Sequence, residues 1–194
     1  MRGIKTLKDR TKVIIKYFTH EDLSKMIKFY SNLLSEDDAY LKIDSQHPNM
    51  GDLRNGTVES ANIIRIIAIH KEDMVADGAL ELFHDKALRR TGELRVIVAH
   101  KYRHKGLGTV LMRELCLLAA QNNVDKFIVK LTKPQIAAQA ICNKLGFHEE
   151  PPTPGPIPNQ NVRAQDFTIM EIKAKDFWKE LEHLYRDSDW QRSR

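Results

Sequence analysis

Two cysteines, Cys116 and Cys142, are all that this 194-residue sequence contains. They form no CxxC pair and fall on two separate segments of helical periodicity. Neither a disulfide scaffold nor a structural zinc site is therefore supported. Aromatic residues are sparse at 7% and scattered, and no nucleic-acid-binding motif accompanies them, so a nucleic-acid partner is not expected. No stretch approaches the roughly 20 consecutive apolar residues that a membrane span requires. The basic start "MRGIKTLKDRTKVIIKYF" has a short apolar run and no small-residue cleavage site, so the expected location is cytoplasmic. There is no internal repeat and no G-x-x-x-x-G-K-[ST] nucleotide loop.

What is present is an excess of positive charge, +5 by formal count, on a length that fits one domain with a substantial core. The charge favours an anionic partner without choosing among nucleic acid, acidic protein and phosphorylated cofactor. The β-branched run "KVIIKYF" (Lys12–Phe18) reads as a strand. Thr19 and Asp22 then form a capping-box pattern, and Leu23, Met26, Ile27, Tyr30 and Leu33 recur at helical spacing to about Leu34. Ser35 to Asn62 reads as a loop with one short helix at most. Three antiparallel strands follow: Asn62–Lys71 and Met74–His84 around a tight "EDM" turn, then Arg90–His100 after "DKALRR".

The period then changes. Leu107, Leu111, Leu115 and Leu118 mark one face of a helix from Gly106 to about Asn122. Asp125–Thr132 is a strand, and Lys133–Phe147 is a helix with Pro134 suited to its first turn and Gly146 to its end. The proline-rich segment after His148 reads as an irregular surface stretch. Phe167–Ala174 reads as the last strand and Lys175–Tyr185 as an amphipathic tail helix before a polar end. The order lacks strict βαβα alternation, which argues against a doubly wound fold.

The junction "RHKGLG" places Arg103, His104 and Lys105 against Gly106 and Gly108 where a strand gives way to a helix. A helix start exposes main-chain N–H groups without partners, and glycine lets an anion come close to them. One reading is a cradle for a phosphate or pyrophosphate; the other is a tight turn with solvated basic side chains. Leu111 stands where a dinucleotide fingerprint needs its third glycine, and the loop from His100 is too long for that turn. His100 and His104 are four apart, but they precede the helix and have no adjacent acidic or cysteine partner, so no metal site is read there.

"VIVAHKYRHKGLGTVLM" resembles the acyl-CoA-binding motif of the GNAT superfamily of N-acetyltransferases, in which a strand, a basic [RQ]-x-x-G-x-[GA] loop and a helix start grip the cofactor. Arg103, Gly106 and Gly108 match that pattern. "PQIAAQAICNKLGF" resembles the family's later helix with its closing Gly-Phe run. The element order from about Val13 to Ala174 is also similar. The resemblance implies an α/β (α+β) fold: a single domain with a mixed central sheet of six to seven strands, splayed at strands four and five and flanked by helices. That domain would cover residues 1–174, with 175–194 a tail belonging to it.

The resemblance also implies the cofactor, acetyl-CoA, and who holds it. The main-chain N–H groups of Arg103, His104, Lys105, Gly106, Leu107, Gly108 and Thr109 would bind the pyrophosphate. The main chain of Val96, Ile97 and Val98 would pair with the pantetheine arm like an added strand. Gln135 stands where many members carry an asparagine. An amine of pKa near 10.4 is only about one part in a few thousand deprotonated at pH 7, so a base is needed. Glu93, in "GELRVIV", is similar to a strand glutamate of bacterial protein-lysine acetyltransferases and is the candidate; Glu81 or water are substitutes. The developing oxyanion would be met by a main-chain N–H around Val98.

Cys142 stands where many members carry the tyrosine that protonates the leaving thiolate. A small core cysteine is the plainer reading of that position. The expected function is transfer of an acetyl group to a primary amine (protein lysine, N-terminus or small amine) by direct attack in a ternary complex, in a monomer or homodimer. The alternative is a catalytically weak acyl-CoA-binding regulatory domain, which the departure at Cys142 encourages. Acceptor pockets would fall in Ser35–Asn62, where Glu36, Asp37 and Asp38 cluster, and in Pro151–Asp166. Neither segment carries a pattern that names a substrate.

Overall fold

Alternation and β-branching set the first half of the chain. In the computed structural model, which describes residues 3–33, 62–83, 90–150 and 167–186, the short strand β1 (Gly3–Thr6) pairs antiparallel with β2 (Lys12–Tyr17). Val13 and Ile15 are fully buried on one face of β2. β2 also pairs antiparallel with β3 (Ile63–His70), Ile15 opposite Ala68. β3 turns at Lys71 and Glu72, with Lys71 at a positive φ of 56°, into β4 (Asp73–Leu82). That turn lies one residue or two earlier than the expected "EDM", because Asp73 already belongs to the strand.

The expected capping box forms at Thr19, but it caps a 3-10 turn (His20–Asp22) that leads into helix α1 (Leu23–Ser31). The Thr19 N–H and hydroxyl both donate to Asp22 Oδ2, at 3.2 and 3.0 Å, and Lys16 Nζ lies 2.7 Å from the same oxygen. Its apolar face brings Met26, Phe29 and Tyr30 onto Ile67, Ile69 and Met74, with Ile97 packed at the edge of that cluster. Burying such side chains contributes about 1.5–3 kcal/mol each. A polar network unforeseen from sequence pins the same layer. Arg65 of β3 is ion-paired with the fully buried Asp77 of β4, and the Tyr30 hydroxyl donates to Asp77 Oδ2 at 2.7 Å. Each of these groups would be costly to bury alone.

β5 (Thr91–Val98) leads through a 3-10 turn (His100–Tyr102) into helix α2 (Leu107–Gln121). The strand β6 (Lys126–Thr132), helix α3 (Ile136–Lys144), the two-residue strand β7 (His148–Glu149), β8 (Phe167–Lys173) and helix α4 (Ala174–Arg186) complete the order. The sheet order is β1-β2-β3-β4-β5-β6-β8-β7. The fold is the expected mixed sheet with helices, with eight strands rather than six to seven because β1 lies ahead of the first strand read from sequence. α3 begins at Ile136, after Pro134. It closes as foreseen on Gly146, whose φ is 83°; the Gly146 and Phe147 N–H groups donate to Asn143 and Cys142.

The chain divides into two compact units. One comprises Met1–Ala79 and Val96–Leu111; the other comprises Leu80–Arg95 and Met112–Arg194. Strands β4 and β5 contribute to both. In the second unit β6 pairs in parallel with β5 and antiparallel with β8. Among the described residues no helix is long and apolar enough to cross a membrane. The expected loop over Ser35–Asn62 apart from Asn62 itself, its acidic cluster at Glu36, Asp37 and Asp38, the "DKALRR" turn apart from Arg90, the segment Pro151–Asp166 and the polar end after Arg186 lie outside the described residues.

Candidate functional site

The first unit holds the whole junction from Val96 to Thr109. The β5–β6 register runs from Thr91 opposite Lys126 to Glu93 opposite Ile128 and includes none of Leu94 to Val98. Parallel strands normally continue such a ladder. Its early end leaves the main chain of Val96, Ile97 and Val98 outside the β6 ladder. The Ile97 side chain meanwhile packs against the α1 cluster.

Past the strand, the Tyr102 and Arg103 N–H groups donate to the carbonyls of Ala99 and His100, at 2.8 and 3.2 Å, closing the 3-10 turn. The next six, His104, Lys105, Gly106, Leu107, Gly108 and Thr109, donate to no main-chain carbonyl among the described residues, and the helical ladder resumes with Val110 N–H to Gly106 at 3.1 Å. Positive φ at His104 (59°) and Gly106 (88°), two positions apart, curls this run. Successive N–H groups in such a curl converge on a concavity that suits an anion. At Gly106 the positive φ is the reason for glycine. Space is not, since an added Cβ would meet only the Lys8 side chain, at 3.7 and 3.8 Å.

The three basic side chains do different things. Arg103 Nε donates to the Val98 carbonyl at 3.0 Å, tying the loop back to the strand. Lys105 Nζ lies 2.8 Å from Asp9 Oδ2 and 5.3 Å from the centre of the Tyr102 ring. Its charge is therefore already compensated. His104 is exposed. Among the described residues no three His, Cys, Asp or Glu side chains cluster as metal ligands would.

Glu93, Gln135 and Cys142 belong to the second unit. The Glu93 side chain is 7% exposed, and Lys130 Nζ of β6, about a third exposed, lies 2.8 Å from its Oε2. Arg65, for its part, serves Asp77. Gln135 precedes α3, and its side-chain oxygen accepts the Thr132 N–H at 2.8 Å. Cys142 is fully buried, and burial pushes its thiol up to about 12. An acid that weak donates poorly to a thiolate whose own conjugate acid sits near 8.5. Cys116 is buried as well, and burial raises its thiol well above the ordinary range.

The partners Lys130 and Asp9 were not foreseen. Both come from segments far away in sequence, and neither carries a local pattern that marks it.

The residues fit a phosphorylated cofactor carried on a thin arm. Six N–H groups without main-chain acceptors among the described residues line a curled loop at a helix start, and the end of β5 stands outside the β6 ladder. Residues 26–147 match the family model described as the acetyltransferase (GNAT) family. Similar solved structures include the GNAT domain of S. lividans PAT, at 11% identity over 88% of this chain and 96% of that one, TM-score 0.71. The yncA putative acetyltransferase from Salmonella typhimurium, with its cofactor acetyl-CoA, is 14% identical over 84% and 94%, TM-score 0.62. A spermidine N-acetyltransferase SpeG chimera from Vibrio cholerae and hSSAT is 19% identical over 86% and 98%, also at 0.62. Among curated protein sequences none matches the chain.

Proposed function

The chain belongs to the acetyltransferase (GNAT) family, and from that premise we propose that it transfers an acetyl group from acetyl-CoA to a primary amine by direct attack within a ternary complex. The observation that carries the reading is the curled run from His104 to Thr109, whose N–H groups lack main-chain acceptors among the described residues. Those groups hold the pyrophosphate, and the main chain of Val96 to Val98 lies along the pantetheine arm. Acetyl-CoA supplies the acetyl group already activated as a thioester.

Glu93 accepts the amine proton, directly or through water, and Lys130 fixes the carboxylate's orientation. The Val98 N–H faces the carbonyl oxygen as negative charge develops there. Cys142 takes no proton-transfer role, because a buried thiol held near 12 has neither access nor acidity. Water therefore protonates the leaving thiolate. The acceptor is a protein lysine, an N-terminus or a small amine; the likeness to a spermidine N-acetyltransferase puts polyamines among those worth testing.

The test is a coupled assay of CoA release over proteins, peptides, polyamines and aminoglycosides, with Glu93→Gln as the control. Release with one acceptor class, lost in Glu93→Gln, supports the reading. The ion pairing of Glu93 favours a second one, an acyl-CoA-binding regulatory domain that turns over slowly. Acetyl-CoA binding without release across the whole panel would select it.

A further inference from the structure

The turn between β1 and β2 reaches the cofactor loop. It runs from Leu7 to Thr11, ahead of the residues that match the family model. Buried Leu7 anchors it, and its N–H donates to the Thr11 carbonyl at 2.8 Å. Arg10, at a φ of 67°, donates back to Leu7 at 2.9 Å, and the Thr11 N–H donates to Asp9 Oδ1 at 3.0 Å. The Asp9 carboxylate is thus aimed before anything else meets it.

Two links join this turn to the loop, and both end on Lys105. The Lys8 N–H donates to the Lys105 carbonyl at 3.1 Å, and Asp9 Oδ2 meets Lys105 Nζ at 2.8 Å. The first has a geometric consequence. In a planar trans peptide the carbonyl of Lys105 and the N–H of Gly106 point in opposite directions. Fixing that carbonyl on Lys8 turns the Gly106 N–H away from the β1–β2 turn. The Lys8 stem lies beside Gly106 on the same side.

We infer that Asp9 is a positioning residue for acetyl-CoA binding: through Lys105 it holds the peptide plane that presents the Gly106 N–H to the cofactor's phosphates. The inference rests on the proposed role of the His104–Thr109 run as the pyrophosphate cradle. It also gives Lys105 a different job from the one its sequence suggests, since its ammonium serves the brace rather than the anion. Hydrogen bonding from Lys105 holds the Asp9 carboxyl down at about 2, so the brace is charged at any working pH.

The experiment compares Asp9→Asn, Asp9→Glu and Gly106→Ala with the unaltered enzyme, measuring kcat and KM for acetyl-CoA and for acetyl-pantetheine, which lacks the pyrophosphate. Acetyl-CoA affinity by calorimetry gives a second readout that does not depend on turnover. Asp9→Asn should raise KM and Kd for acetyl-CoA about fivefold with kcat retained, and leave KM for acetyl-pantetheine unchanged. Asp9→Glu should restore most of the loss. Equal effects on both thioesters, a fall in kcat alone, or no effect beside a clear loss in Gly106→Ala would each overturn the inference. No loss of acetyl-CoA affinity in Gly106→Ala would instead overturn the cradle reading beneath it.

Discussion

The proposed cofactor loop would work with main chain, whereas the proposed proton site would work with a side chain, and the two are assembled differently. From His104 to Thr109 the groups on offer are N–H donors, set by a helix start and two positive φ values close together in sequence. At Glu93 the working group is a carboxylate whose partner arrives on another strand, β6. A main-chain device is indifferent to most side chains around it and sensitive to backbone conformation. A side-chain device is the reverse.

Substitutions can break that contrast, and the largest effect is expected at Glu93. Glu93→Gln should lower kcat/KM by about 10²- to 10⁴-fold, the usual range for a general base, while acetyl-CoA affinity stays within about twofold. A steady-state assay paired with calorimetry checks both halves; equal losses in turnover and affinity would erase the distinction. Next comes Gly106→Ala. Forcing a side chain to a φ of 88° costs about 1–3 kcal/mol, so acetyl-CoA should bind roughly tenfold more weakly. With saturating cofactor, kcat should recover.

Cys142→Ala sharpens the comparison by separating burial from chemistry. Removing a buried sulfur should cost about 1 kcal/mol of stability, read by denaturant unfolding, and leave the shape of the pH–rate profile unchanged. A loss of the alkaline limb would restore Cys142 to the mechanism.

The smallest effect is expected at an outer pair on the same strand as Lys130. Lys126 Nζ lies 2.6 Å from Glu171 Oε2. The Lys126 hydrogen bond lowers the Glu171 carboxyl against the effect of burial. Burial pulls Lys126 down, but Glu171 and Glu150 together outweigh it and raise the ammonium. The lowered carboxyl stabilises the fold above its unfolded pKa near 4.3, and that contribution fades as pH falls through its folded value. The raised ammonium contributes below about pH 10.4 and loses this as pH rises through its folded value. Glu171→Gln should therefore cost at most about 1 kcal/mol at neutral pH. Melting curves of variant and unaltered protein should converge in acid.

Much of this was legible in sequence wherever the cause is local. The capping pair Thr19 and Asp22, the closing Gly146 and the change of period after Val98 all follow from neighbours within a few residues. β1 was missed because four residues with one exposed apolar side chain, Ile4, give too short an alternation to read. α3 starts later than its periodicity suggests because the Gln135 and Ile136 N–H groups still donate within the turn over Thr132–Pro134. The residues of the proposed cradle stand out in sequence because they are contiguous. Lys130, Asp9 and the Arg65–Asp77–Tyr30 network do not, since pairing of distant strands decides which charges meet.

The hydrogen bond from Arg103 to the Val98 carbonyl acts as a gauge. It spans five residues and sets the interval between the end of β5 and the start of the curled loop. That interval therefore belongs to the protein before any ligand arrives. A ligand that anchors at both places must match it in length, so the spacing between an anionic group and the amide-bearing arm behind it becomes something the chain measures.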